Sequence, residues 1–178
     1  MMDNIQTKLF QLQDVGYGDF HSKLMPNIAR EKIIGIRVPV LRRFVKELSE
    51  AEKEDFLQQL PHIYYEENNL HGLIIMESKD YGSCIEELER FLPYIDNWAT
   101  CDMLRPKILC KHLPELLEKI YQWLASEDTY TVRLAIGFLM SFYLDDGAYQ
   151  REYLAKVAEV SSKEYYVRMM VAWYFATA

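Results

Sequence analysis

The sequence predicts an all-α protein, an α-solenoid or α-α superhelix built from HEAT-like helical repeats, and three observations lead there. Apolar residues recur at helical spacing along nearly the whole chain. The later sequence resembles itself at an offset of 35 residues, SEDTYTVRLAIGFLM (126–140) against SSKEYYVRMMVAWYF (161–175). Strand character is confined to one run, IIGIRV (33–38), that has no partner run nearby.

Element by element, Ile5, Leu9 and Leu12 set a first helix in DNIQTKLFQLQD, and a second short helix surrounds Phe20 and Leu24. GYG (16–18) and DDG (145–147) read as turns. IIGIRV reads as a loop entering a helix, PVLRRFVKEL, with Pro39 at its first position and Leu41, Val45 and Leu48 on the buried stripe. Three pairs have capping-box spacing and mark three helix starts: Ser49 with Glu52, Ser83 with Glu86, and Ser161 with Glu164. Pro61, Pro93, Pro106 and Pro114 act as breaks or first-turn residues. The sum is about ten to twelve helices in antiparallel pairs. In the repeat, Tyr130 matches Tyr165, Arg133 matches Arg168 and Phe138 matches Trp173. The tetratricopeptide pattern of Trp, Gly, Tyr and Pro is not recoverable, so a HEAT-like unit is expected. No linker divides residues 1–178, and a single domain is expected. The last segment, VRMMVAWYFATA, is apolar and has no glycine or closing helix after it, which predicts a chain cut short of its natural end or paired with a neighbour.

Composition narrows the class. Half the residues are hydrophobic, with only 7 Gly and 6 Pro, which excludes disordered and collagen-like chains. No apolar stretch approaches the ~18 residues of a membrane span, and the N-terminus has no secretion signal. Three cysteines without CxxC spacing read as free thiols in the cytoplasm. A net charge of −7 excludes a uniformly basic nucleic-acid binder. Local basic clusters remain, Arg37, Arg42, Arg43 and Lys46 early and Arg105, Lys107 and Lys111 in the middle. The acids gather in SEAEKED (49–55), YYEENN (64–69) and IEELER (85–90), each of which also reads as a solvated helix face.

Several chemistries fall away. His21, His62, His71 and His112 are scattered without metal-ligand spacing and read as surface or capping residues, so no metal and no cofactor are expected. Cys101 has no histidine placed as its base, and no glycine-rich phosphate loop exists. What remains is Trp98 and Asp102, four apart and therefore on one helix face. Arg133 follows Trp98 at the 35-residue interval, and Trp173 repeats Phe138. A stacked array would bring the four to one concave surface. Singly, each also has a plain structural reading: core aromatics, a surface arginine, or Asp102 paired with Arg133 or Arg105.

Four stretches, IIGIRVPVLRRFVKEL, LPYIDNWATCDML, YTVRLAIGFLMSFYL and YYVRMMVAWYFATA, resemble in order and spacing the DNA alkylation repair family of the AlkD type. The resemblance covers most of the chain from about Ile33 onward. It implies a HEAT-like DNA glycosylase that hydrolyses the N-glycosidic bond of N3- or N7-alkylated purines in double-stranded DNA, without a metal. It further implies Asp102 as the catalytic carboxylate, Trp98 and Trp173 as the aromatic cleft residues and Arg133 as the DNA-backbone arginine, with Arg37, Arg43, Arg105 and Arg168 as candidate DNA-binding cations. The chemistry suits these residue types, because a carboxylate stabilises an oxocarbenium-like sugar and tryptophan faces attract cations. The expected partner is duplex DNA carrying alkylated bases, met by a monomer without a membrane. Two rivals stand beside this reading: a catalytically inactive HEAT-like module that binds nucleic acid or protein, and a purely structural solenoid whose groove receives a partner helix.

Overall fold

The computed structural model describes residues 3–145 and 147–178, and among them are eleven α-helices and no strand. In order these are α1 (Asp3–Gln11), α2 (Val15–Ser22), α3 (Val38–Glu47), α4 (Glu50–Leu57), α5 (Tyr65–Ile75), α6 (Tyr81–Phe91), α7 (Trp98–Met103), α8 (Leu113–Leu124), α9 (Thr129–Phe142), α10 (Arg151–Ala158) and α11 (Tyr165–Thr177). The turn expected at 145–147 includes Asp146, which lies outside the described residues.

From α3 onward the odd-numbered helices form one row, α3 on α5 on α7 on α9 on α11, and α4, α6, α8 and α10 pack outside it. Row neighbours run in the same direction. Asn69 of α5 meets Thr100, and Gly72 meets Leu104 just past α7. Cys101 of α7 meets Tyr130, and Asp102 meets Arg133. Tyr130 of α9 meets Tyr166, and Gly137 meets Met170. Residue numbers rise together at every contact, as in an α-solenoid.

The row explains two unusual helices. Every residue of α5 and ten successive residues of α9, Tyr130–Leu139, are buried. A helix packed on all sides need not be amphipathic, and that is where these two sit. The outer helices α6 and α8 keep one apolar stripe, Cys84, Ile85, Leu88 and Phe91 on α6 and Leu116, Ile120 and Trp123 on α8.

Residues 33–37 form a loop rather than a strand. Its backbone donors are taken by a buried carboxylate: Glu66 of α5 accepts the N–H groups of Ile34, Gly35 and Ile36 at 2.8, 2.7 and 3.1 Å. The YYEENN run is therefore not a solvated face, since Glu66 and Glu67 are buried. Glu67 turns back to accept from Ile63 and Tyr64 at the start of α5. Gly35 has φ 97°, and a Cβ there would lie 2.4 Å from the Asp14 carbonyl, so glycine is required.

Helix starts split between expected and displaced. Ser49 and Glu52 form the reciprocal capping box of α4. Helix α6 instead begins earlier than the Ser83–Glu86 spacing implied, because Asp80 caps it by accepting from Ser83 N and Oγ at 2.8 and 2.9 Å. Likewise α11 begins at Tyr165, after Ser162 Oγ accepts from Glu164 N, so Ser161 is not its cap. Pro39 lies in the first turn of α3, which starts one residue sooner at Val38. Leu12, expected on a buried stripe, is exposed just past the end of α1, and Phe20 and Leu24 are exposed as well.

Histidines expected at the surface are partly interior: His71 is fully buried and His21 nearly so. His62 Nε2 lies 2.9 Å from His71 Nδ1, with Phe56 stacked on His62 and Phe91 on His71. Burial pushes His62 down to about 4 and His71 down to about 2. Unfolded imidazoles titrate near 6.5, so below that pH the unfolded chain binds protons that the folded chain refuses. Stability is then full above pH ~6.5 and falls by about 1.4 kcal/mol per pH unit per imidazole on acidification towards pH ~4. Urea unfolding at about pH 7 and about pH 5 tests this. A lower midpoint at the acid pH is expected, with the difference reduced in His62→Gln; an unchanged midpoint contradicts it.

Candidate functional site

Helix α7 has only six residues, too few to persist alone, and its neighbours hold it. Asn97 caps it, accepting from Thr100 N at 2.8 Å. Behind it, a Cβ on Gly72 would meet Leu104 Cδ2 at 2.8 Å, so this glycine lets the end of α7 approach α5. Trp98 opens the helix, and its indole Nε1 donates to the Leu24 carbonyl at 3.3 Å, which fixes the ring against the segment after α2. Asp102 follows one turn later, about 6 Å along the axis.

Arg133 on α9 meets Asp102 with a two-pronged grip. Its Nε donates to Oδ1 at 2.9 Å and its Nη2 to Oδ2 at 2.7 Å, while Nη1 donates to the Tyr166 carbonyl of α11 at 2.7 Å. The guanidinium also lies 6.0 Å from the Tyr166 ring centroid. The Arg133 side chain is 7% exposed and that of Asp102 17%. Burial disfavours the Arg133 cation, but the Asp102 carboxylate outweighs it and the guanidinium pKa is raised. Each Asp102 oxygen accepts one bond from Arg133 and keeps further lone-pair capacity.

Trp173 lies two turns beyond Tyr166 on α11, about 10 Å along the axis, and is 50% exposed. Along the shared helix direction Trp98 lies one turn before Asp102, and Trp173 two turns beyond Tyr166. The repeat partner Phe138 is buried under Trp123 and Arg105, whereas Trp173 on the last helix is open. Tyr165 and Met169 are exposed beside it.

The expected cations separate into two groups. Arg133 and Arg105 turn inward. Arg105 donates from Nε to Ser141 Oγ at 2.8 Å and from Nη1 to the Leu104 carbonyl at 2.6 Å, and stacks over Phe138 at 5.4 Å. Arg37, Arg43 and Arg168 are exposed. Arg37 pairs with Asp14 at 3.2 Å and lies 4.5 Å over the Tyr17 ring. Arg43 and Arg168 form no ion pair among the described residues.

Charge is sorted by row. The outer helices α4, α6, α8 and α10 carry ten acids against five bases. On the row, α3, α9 and α11 carry five bases against Glu47 alone, and the acids of α5 are buried against backbone donors. Sequence reading missed Glu66, the Asn69–Thr100 contact and the Tyr166 carbonyl. Only Glu66 had a usable signal, an acid inside an otherwise unbroken buried pattern.

Removing one partner of a buried, two-pronged pair leaves the other charge uncompensated. Arg133→Ala is expected to cost about 3 kcal/mol of unfolding free energy, read by urea denaturation, with the loss partly relieved in Asp102→Asn/Arg133→Ala. Equal loss in the single and double variants contradicts a direct coupling.

The family model described as DNA alkylation repair enzyme matches residues 5–176. No curated protein and no solved structure matches the chain. With the match spanning nearly every residue and an all-helical row beneath it, the chain belongs to the DNA alkylation repair enzyme family.

Proposed function

We propose that the protein is a DNA glycosylase that hydrolyses the N-glycosidic bond of N3- and N7-alkylated purines in duplex DNA, with no metal or other cofactor. The observation that carries this reading is a carboxylate, Asp102, gripped at both oxygens by Arg133 and one turn from the Trp98 indole on the same short helix. Alkylation at N3 or N7 leaves the base positively charged. As the bond to C1′ breaks, its electron pair moves onto the base and neutralises it, and positive charge appears on the sugar. Asp102 faces that charge without reorganising, because Arg133 already fixes the plane of its oxygens. Water adds to C1′ on the carboxylate side, and the proton it loses passes to solvent, which completes the hydrolysis.

Trp98 and Trp173 supply aromatic faces to the cationic base and sugar. Phosphate contacts fall to the exposed Arg37, Arg43 and Arg168, which set the register of the duplex. In this reading Arg133, buried and fully engaged with Asp102 and Tyr166, is a positioning residue rather than a phosphate ligand, and Arg105 supports the layer behind it. Three free cysteines fit work in the cytoplasm, and no helix among the described residues is long and apolar enough to cross a membrane.

Asp102→Asn keeps the shape and removes the charge, so release of 7-methylguanine from methylated duplex is expected to fall by about 100-fold or more while duplex binding persists. Release at the wild-type rate by this variant contradicts the reading. Binding of undamaged duplex is expected to weaken as salt rises, and Arg43→Ala or Arg168→Ala should each lower the log–log salt slope by about 1. A slope that neither change moves contradicts the placement of the phosphates.

A further inference from the structure

The short helix that carries both Trp98 and Asp102 is fastened to the preceding layer by a buried polar chain that is not part of the charge clamp. Asn97, Thr100 and Asn69 are each at most 1% exposed. Asn97 Nδ2 donates to Asp96 Oδ1 at 2.9 Å and to Thr100 Oγ1 at 3.0 Å, and Thr100 Oγ1 donates onward to Asn69 Oδ1 at 2.8 Å on α5. The hydroxyl therefore accepts from the cap of α7 and donates to the middle of a fully buried helix. Its single hydrogen is committed to α5, so the rotation of α7 about its own axis is tied to α5 by a directional bond.

Geometry makes that bond consequential. A six-residue helix has few internal hydrogen bonds to resist rotation. On such a helix Thr100 lies between Trp98 and Asp102 in sequence, about 100° of rotation per residue. Turning α7 to release Thr100 from Asn69 swings the Trp98 ring and the Asp102 carboxylate together. On the far side, Cys101 Sγ donates to the Tyr130 carbonyl at 3.4 Å, a weaker thiol bond. The Gly72–Leu104 contact limits how close the helix comes and does not set its rotation.

We propose that Asn69 and Thr100 are positioning residues for the glycosylase site: their buried hydrogen bond sets the direction in which Asp102 and Trp98 face the substrate. This rests on the glycosylase reading above for its consequence in catalysis, and on the contacts alone for its consequence in structure.

The test uses the full chain with Thr100→Val, which keeps shape and loses the hydroxyl, Thr100→Ser, which restores it, and Asn69→Leu/Thr100→Val, which leaves neither partner of the bond unsatisfied. Single-turnover release of 7-methylguanine is expected to fall about 10- to 100-fold in Thr100→Val and in the double variant. Binding of undamaged duplex should stay within about twofold, because the phosphate-facing cations lie off α7. Thr100→Ser should recover most of the rate. In the same samples, the NMR signals of the Trp98 indole Nε1–H and the Arg133 Nε–H are expected to shift in Thr100→Val and return in Thr100→Ser. A folded Thr100→Val, or the folded double variant, with both signals and the release rate at wild-type values overturns the proposal. Signals that move while the wild-type protein releases no base uphold the positioning role and overturn the glycosylase reading instead.

Discussion

One ionic clamp organises the later half of the helical row. Arg133 reaches from α9 to both oxygens of Asp102 on α7 and to the Tyr166 carbonyl at the start of α11, so one guanidinium binds three consecutive layers. A buried ion pair contributes little net stability once desolvation is counted, yet breaking one half is costly. Its value here is orientation. The plane of the carboxylate, the rotation of the six-residue helix and the start of the last helix are set against one another. The polar chain Asn97–Thr100–Asn69 does for the back of α7 what Arg133 does for its front.

Net charge and surface charge part company in this chain. A protein at −7 is repelled by a polyanion on average. Short-range screening makes the local sign decisive within about 8–10 Å. The solenoid sorts its side chains so that the acids of α4, α6 and α8 stand on the outer layer, while the row acids Glu66, Glu67 and Asp102 are spent on internal donors. What the row leaves exposed includes Arg42, Arg43 and Lys46 on α3 and Arg168 on α11, the last beside the apolar Tyr165, Met169, Trp173 and Phe175. Under the proposed function these exposed cations are what a duplex meets, while the outer acids repel it.

Much of this was legible in the sequence, and the failures are instructive. The all-helical class, the helix after IIGIRV and the capping box at Ser49 all followed from local rules, because each depends on residues within one turn. The 35-residue offset placed Arg133 and Arg168 in matching helices, but not their fates: Arg133 is sealed between α7 and α11, whereas Arg168 is exposed, as is Trp173 where Phe138 is buried. Glu66 looked like part of a solvated acidic run, since nothing local says that three backbone donors from residues 34–36 converge on it. Ser83 and Ser161 had the right spacing for caps, but Asp80 and Glu164 stood nearer the true helix starts. Local chemistry fixes the elements, and contacts across about thirty residues decide what each polar side chain does.

In the proposed reaction Asp102 is pre-aimed at a positive charge developing on the sugar. The most direct test of this is equilibrium binding to two duplexes that differ only at one site, one carrying a cationic pyrrolidine in place of the deoxyribose and the other an uncharged tetrahydrofuran. The wild-type protein is expected to prefer the cationic duplex by about tenfold or more, and Asp102→Asn to lose this preference while holding the neutral duplex as before. Equal affinity of the wild-type protein for the two duplexes would contradict it.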